Sequence, residues 1–144
     1  MPDDTAKLYK QLQALGRNAQ GRALRAAVRA GITPAIERAR QLIPVGIDKH
    51  ITEAGREVRP GFARKSIRGI IKVSRDKSVA IGVIGVRKTA RYAVQFVELG
   101  TSRMAAQPWL RPAFRETRRQ QEQALAASLR KTLLDAALGR ASTQ

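Results

Sequence analysis

The sequence predicts an α+β fold in which a small antiparallel β-sheet packs against a long kinked N-terminal helix and a long C-terminal helix. Apolar residues recur at spacings of three and four from Leu24 to Leu42, as in an amphipathic helix. Two runs rich in β-branched residues, 66–73 and 79–86, flank a polar pentapeptide and predict a hairpin. A second helical pattern occupies the last part of the chain and ends at Gly139.

The N-terminal half is predicted to be mostly helical. Residues 5–20 carry a weak pattern, which we interpret as a short helix or a frayed arm. From Arg22 the pattern strengthens, and Pro34 either starts a second helix or kinks a continuous one. We favour one kinked helix ended by Pro44, because the apolar stripe keeps its phase across Pro34. The stripe consists of Leu24, Val28, Ile32, Ala35, Ala39 and Leu42.

The predicted domain organisation has three parts. Residues 1–22 form an N-terminal helical arm, residues 23–139 form a single α+β domain, and residues 140–144 form a flexible tail. Within the domain, residues 44–62 are rich in proline and glycine and predict a loop. This loop carries the single histidine, His50, which we interpret as a solvated side chain.

The second predicted strand has two unlike faces. Val79, Ile81 and Val83 place bulk on one face, while the other face carries mainly small residues such as Ala80 and Gly82. Glycine inside a strand often marks a close approach of another element. We therefore expect something to pack closely against the small face.

Four of the six aromatic residues lie within residues 92–114, and we expect the core to gather there because aromatic side chains bury large areas. Residues 92–99 can be a strand or a short helix, and we favour a helix stopped by Gly100. The final helix is predicted to start with Pro112 at its first position, where a missing N–H costs nothing.

Charge is the most unusual global property. The chain has 28 Lys and Arg residues against 11 Asp and Glu, a net charge of +17. Such a surface suits nucleic acid, through counterion release, or an acidic protein partner. The absence of cysteine and the single histidine exclude disulfides and the usual zinc sites. No apolar run reaches the ~18 residues of a membrane span, and we expect a cytoplasm-like setting.

Glu98 is the one carboxylate in the aromatic stretch, between Val97 and Leu99. It could act as a catalytic acid, or it could bind backbone N–H groups or an arginine such as Arg103 or Arg111. We favour the structural role because no second catalytic group accompanies it. We therefore predict a protein that is not an enzyme, with no catalytic, cofactor-binding or metal-binding residues and no small-molecule substrate.

Two segments together form a recognisable signature. They are Tyr92-Ala93-x-x-Phe96-Val97-Glu98-Leu99-Gly100-Thr101 and Gln107-Pro108-Trp109-Leu110-Arg111-Pro112-Ala113-Phe114. This pair resembles the signature of the HK97 gp10-like family of tailed-phage and prophage tail-component proteins. The similarity extends over Leu24 to Leu138. This sequence departs from the family pattern in three places: Leu99 stands where an aromatic residue is common, Trp109 stands where Phe is usual, and the segment 46–60 is longer than the usual connection.

The resemblance implies a structural component of the head–tail junction or tail terminus, in tail completion or head–tail joining. Such proteins assemble with themselves as rings, commonly hexamers, and dock to neck and tail-tube proteins, with DNA passing nearby. The chain would be in the host cytoplasm before assembly and in the virion afterwards. The implied structural motif consists of Tyr92, Phe96, Glu98, Gly100, Thr101, Pro108, Trp109, Leu110, Arg111, Pro112 and Phe114.

Several expectations remain open at this point. We place partner contacts at the 46–60 segment and at the hairpin tip near Asp76. We also expect Glu98 and Arg111 to interact and so stabilise the motif. The alternative function is a basic nucleic-acid-binding protein, whose affinity would fall steeply with salt. A nuclease is a third hypothesis, with Glu98 as its best candidate residue.

Overall fold

The computed structural model describes residues 2–46, 50–51, 55 and 57–138, and it confirms the α+β class. A two-stranded antiparallel sheet packs against long N-terminal and C-terminal helices. The elements in chain order are α1 (Pro2–Ala14), α2 (Arg17–Leu42), β1 (His50–Ile51), β2 (Glu57–Val58), α3 (Phe62–Ser66), β3 (Ile67–Val73), β4 (Ala80–Val86), a 3₁₀ turn (Lys88–Ala90), α4 (Arg91–Leu99), α5 (Leu110–Glu116) and α6 (Arg118–Ala137). No helix in this part of the chain is both long and apolar enough to cross a bilayer.

The chain divides into two compact units. The first contains Met1–Thr33, Ile70–Val83 and Arg119–Gln144, and the second contains Pro34–Gly69 and Ile84–Arg118. The predicted division into an arm, a domain and a tail stays a prediction, and its tail, 140–144, lies outside the described residues.

Helix α2 is continuous through Pro34, as the phase of its apolar stripe predicted. It begins at Arg17, earlier than the pattern from Arg22 indicated. Next to Pro34, the Thr33 hydroxyl donates a hydrogen bond of 2.8 Å to the Arg29 carbonyl. The helix thus continues through Pro34, although proline has no N–H to donate to the preceding turn.

The buried line of α2 shares Ala35 and Ala39 with the predicted stripe but lies one residue earlier in the first half of the helix. Small residues recur every four positions along it and are fully buried, whereas Leu24, Val28 and Ile32 lie beside them and are half-buried. In the first unit, a β-carbon on Gly31 would lie only 3.2 Å from Leu125 Cβ of α6. Small side chains therefore set how closely α6 approaches α2. The buried line is Ala23, Ala27, Gly31, Ala35 and Ala39, and the buried Ile43 follows directly after the helix.

Helix α1 completes the core of the first unit. Leu12 is buried together with Ala23 of α2 and Leu133 of α6. Further leucines pack around this cluster, namely Leu8, Leu15, Leu24 and Leu129. The weak helical pattern of residues 5–20 thus corresponds to a helix with a buried apolar side rather than to a frayed segment.

The hairpin of β3 and β4 also matches the sequence prediction. A β-carbon on Gly82 would lie 2.7 Å from Ile32 Cγ2 and 2.8 Å from Val28 Cγ1. The small face of β4 therefore packs directly on α2, as expected from its alternation. The bulky face, with Ile81 and Val83, is exposed.

Hydrogen bonds hold the turn between these strands. Ser74 N–H donates to the Val79 carbonyl at 2.8 Å, and Lys77 N–H donates to the Ser74 carbonyl at 3.1 Å. The Ser78 hydroxyl donates to Asp76 Oδ2 at 2.5 Å. Hydrogen bonds from the Ser74 side chain, then from the Ser78 side chain and backbone, lower the pKa of Asp76 from 3.8 to about 2.

This pKa predicts how the turn responds to acid. Because the folded-state pKa of Asp76 lies below the ordinary 3.8, its stabilising contribution is complete above that value and is lost as pH falls towards 2. NMR titration of the Asp76 carboxyl should give a midpoint near 2. Ser74→Ala should raise the midpoint, whereas Ser102→Ala, a serine outside this turn, should leave it unchanged. A midpoint near 3.8 in the unmodified chain would contradict the assignment.

Residues 44–62 were predicted to form a loop, but they contain a short two-stranded β-sheet, so that prediction is wrong in part. Strands β1 and β2 pair antiparallel, with His50 opposite Val58 and Ile51 opposite Glu57. Strands of two residues are too short to leave an alternating pattern, which explains why the sequence did not indicate them.

Candidate functional site

The motif region begins with α4, which confirms the predicted helix and its stop. Gly100 has a left-handed φ of 73°, and its N–H donates to the Phe96 carbonyl at 2.7 Å. A β-carbon there would lie 2.7 Å from the backbone nitrogen of Ala106 and 3.0 Å from the Met104 carbonyl. Both the backbone angle and the close approach require glycine at this position.

A tight turn then reverses the chain. Thr101 N–H donates to the Met104 carbonyl at 2.8 Å, and Met104 N–H donates back at 3.3 Å. Gln107 N–H donates to the Val97 carbonyl at 2.8 Å, which brings the chain back alongside α4. The segment that follows is thereby held next to the side chain of Glu98.

Glu98 is the centre of the motif. Its Oε2 accepts hydrogen bonds from the N–H groups of Trp109 at 2.6 Å and Leu110 at 3.0 Å. Its Oε1 accepts a bond from the Arg111 N–H at 3.4 Å. The carboxylate of one helix thus caps the first turn of the next, where unpaired N–H groups favour negative charge.

The start of that next helix corrects a prediction. Helix α5 begins at Leu110, so Pro112 is its third residue rather than its first, and Thr117 separates α5 from α6. Proline is tolerated here because a first-turn N–H has no partner within the helix. The next amide, Ala113 N–H, already reaches the Trp109 carbonyl at 3.3 Å. Glu98 therefore accepts from every N–H of α5 that precedes the first intrahelical bond.

The predicted pair of Glu98 and Arg111 is present, although the contact is with the backbone. Arg111 is exposed, and its amide rather than its guanidinium meets the carboxylate. Of the partners weighed from the sequence, the backbone N–H groups are the ones observed. Within the described residues, neither Arg103 nor Arg111 forms an ion pair with Glu98.

The expected aromatic core is only partly present. Trp109 is 2% exposed, but Phe96 and Phe114 are 46% and 38% exposed. Trp109 Nε1 is buried, and it has no hydrogen-bond partner within the described part of the chain. The Tyr92 side chain lies outside the described residues. Most of the buried set consists of small and aliphatic residues, because the helices approach closely through alanine and glycine.

The observed hydrogen bonds of Glu98 are those of a helix cap. All three hydrogen bonds of the Glu98 carboxylate are to main-chain N–H groups. In the described ranges, no three His, Cys, Asp or Glu side chains are placed to hold a metal ion. Glu98 of α4 and the N–H groups of residues 109–111 therefore form a cap that joins α4 to α5.

A second feature of the same unit is an apolar cleft of about 230 Å³. It lies at the base of the 46–60 segment, where the sequence suggested partner contacts. Its lining includes Phe62, Val94 and Val97, together with the polar residues Arg59 and Thr89. Such a lining suits an apolar side chain better than a charged small molecule.

Comparisons with protein-family models, with curated proteins and with solved structures find no match to this chain. The resemblance to phage tail components therefore stays a prediction carried by the motif residues.

Proposed function

We propose that this chain is a structural subunit of a phage or prophage particle. In this proposal it acts at the head–tail junction or tail terminus, assembles with copies of itself as a ring and docks to neck and tail-tube proteins. The motif of Glu98 and its neighbours supports the proposal through the resemblance. The structural observation that carries it is the exposed apolar face of the β3–β4 hairpin.

That face is formed by four aliphatic side chains of the first unit. Ile70 is 45% exposed, and Val79, Ile81 and Val83 are 52%, 57% and 48% exposed. Exposed apolar side chains on one short hairpin are characteristic of a surface that meets a partner. Two cations, Arg68 and Lys72, occupy alternate exposed positions of β3 beside Ile70.

The partner that best fits this face is a second copy of the chain. Two subunits of charge +17 repel each other, so their contact needs a surface where apolar area outweighs charge. The two-stranded sheet also leaves one edge of each strand without a neighbouring strand in the described chain, which permits strand addition.

A ring contact joins two different patches on each subunit. The first unit offers further exposed apolar residues at the end of α6, where Leu134 and the residue directly after the helix, Leu138, are 61% and 62% exposed. The neck and tail-tube proteins would then meet other surfaces of the ring. The apolar cleft at the base of the 46–60 segment is a candidate for those contacts.

We expect Ile81→Asp to weaken self-assembly, because a carboxylate would have to be buried in the subunit contact. Light scattering after size-exclusion chromatography should show a species several times the 15.8 kDa monomer for the unmodified chain. The protein concentration at which the variant reaches the same mass should be at least about tenfold higher. Its circular dichroism should be unchanged.

Tyr9→Asp is the matched control, since Tyr9 is 61% exposed on α1 and the change adds the same charge. It should assemble as the unmodified chain does. A chain that is monomeric at every concentration and binds no neck or tail-tube protein would overturn the proposed function. If the Ile81→Asp variant assembles as the unmodified chain does, the hairpin face is not the surface through which the subunits contact each other.

A further inference from the structure

A basic cleft of about 260 Å³ lies in the first unit, between the first turns of α2 and the tip of the hairpin. It is distinct from the capping motif and from the apolar face described above. Three of its six lining residues are cations and one is an amide. The lining consists of Asn18, Gly21, Arg22, Arg25, Val73 and Lys77.

Two local features bring these cations together. Lys77 has a left-handed φ of 62°, which turns the chain at the hairpin tip. Gly21 has no side chain, and a β-carbon there would lie 2.9 Å from Lys77 Cδ. The aliphatic part of the lysine therefore lies against the helix, and Lys77 lines the cleft together with Arg22 and Arg25.

The cleft is strongly and uniformly positive. Within the described chain, the arginines that form ion pairs include Arg38, Arg59 and Arg130, and no ion pair involves Arg22, Arg25 or Lys77. The nearest carboxylate in sequence, Asp76, accepts its hydrogen bonds from serines of its own turn. Three like charges around one cleft repel one another, and a bound anion would relieve that repulsion.

We infer that this cleft binds a phosphate group of a nucleic-acid backbone. Two guanidinium groups, with an ammonium and a neutral amide beside them, provide the forked and point-charge donors that phosphate oxygens accept. The cationic row continues along α2 to Arg29, four residues beyond Arg25 and on the same face. From Arg22 to Arg29 the row spans roughly 10 Å, which suits a polyanion better than a single free phosphate.

Binding at this cleft is independent of base sequence. The lining contains no aromatic side chain that could stack on a base. The contacts available are to the backbone, and these position a nucleic acid without reading it. The inference does not rest on the proposed assembly role, because the hairpin face and the cleft use different residues.

The test is a comparison of two triple variants that remove the same charge. The cleft variant loses the three cleft cations through Arg22→Gln, Arg25→Gln and Lys77→Gln. The control variant loses three exposed cations elsewhere through Arg64→Gln, Lys65→Gln and Arg115→Gln. Fluorescence anisotropy with a labelled 20-base-pair duplex would give the affinity at several salt concentrations. The cleft variant should bind at least about tenfold more weakly, and its salt slope should fall by roughly two to three.

The control triple should lose much less affinity than the cleft triple. Equal losses in the two variants would show a general charge effect and would overturn the cleft assignment. Unlabelled duplex should displace the probe far better than inorganic phosphate at the same phosphate concentration, or than polyglutamate at the same charge. Equal displacement by phosphate or by polyglutamate would overturn the nucleic-acid assignment in favour of a free anion or an acidic protein.

Gly21→Ala tests the geometry without changing charge. The new β-carbon would displace the Lys77 side chain, while alanine supports the helix. The thermal midpoint should therefore be kept or raised, and duplex affinity should fall about two- to fivefold as one charge leaves the cleft. An unchanged affinity would contradict the convergence of Lys77 with the two arginines.

Discussion

Replacing Gly82 by valine should destabilise the folded chain by about 2–3 kcal/mol, because the new side chain would overlap α2. The first added carbon would already lie 2.7 Å from Ile32 Cγ2 and 2.8 Å from Val28 Cγ1. Both neighbours are β-branched and restricted in χ1 on a helix, so they have little room to move aside. The β-propensity gained from valine is at most ~1 kcal/mol and does not offset the overlap.

Gly85→Val is the matched control for this prediction. Gly85 lies on the same strand, and a β-carbon there would meet nothing within 4 Å. Urea unfolding followed by circular dichroism should show a lower midpoint for the Gly82 variant and an equal or higher one for the Gly85 variant. Similar losses in both variants would mean that glycine is needed for strand geometry and not for the contact with α2.

The alternation of β4 shows what the sequence could and could not predict. Bulk at Ile81 and Val83 opposite the small Gly82 correctly indicated a close approach on the small face. The usual rule, that bulky apolar residues face the core, does not hold here, and the pattern could not say that the bulky face is exposed. Which face is covered depends on how near α2 can come, and that is a tertiary property.

The same reason explains the one-residue offset in the first half of α2, since Ala35 and Ala39 are buried as predicted. Periodicity gives most weight to large residues such as Leu24 and Val28, yet the buried line passes through Ala23 and Ala27. Alanine and glycine allow a neighbouring helix to approach, and the large side chains then pack at the sides of the contact. A single sequence shows the existence of the stripe but not its centre.

At the motif, the sequence indicated which groups could bind Glu98 but did not select one of them. It identified Glu98 as a carboxylate that needs donors and offered backbone N–H groups or an arginine as its partners. It placed the helix start at Pro112, because a proline deeper inside a helix is costly and the first position is where it is tolerated best. The actual cap comes from another helix, eleven residues away in sequence, and local capping rules do not detect that arrangement.

Glu98→Ala should destabilise the fold by about 2–4 kcal/mol, since it removes the acceptor of three N–H groups at the start of α5. The Trp109 amide, bonded at 2.6 Å and adjacent to a buried indole, would lose its partner in a partly buried position. Glu98→Gln should cost less, about 1–2 kcal/mol, because one oxygen still accepts while the charge is lost. Urea unfolding would measure both changes.

Glu37→Ala is the control, because Glu37 is an exposed glutamate on α2, and it should change stability by less than about 0.5 kcal/mol. Hydrogen exchange would locate the effect, with faster exchange at the Trp109 and Leu110 amides in the alanine variant. If those amides stay protected, Glu98 is not their main acceptor. If they exchange quickly while duplex binding and assembly persist, the motif serves the fold alone, and function depends on the hairpin face and the basic cleft.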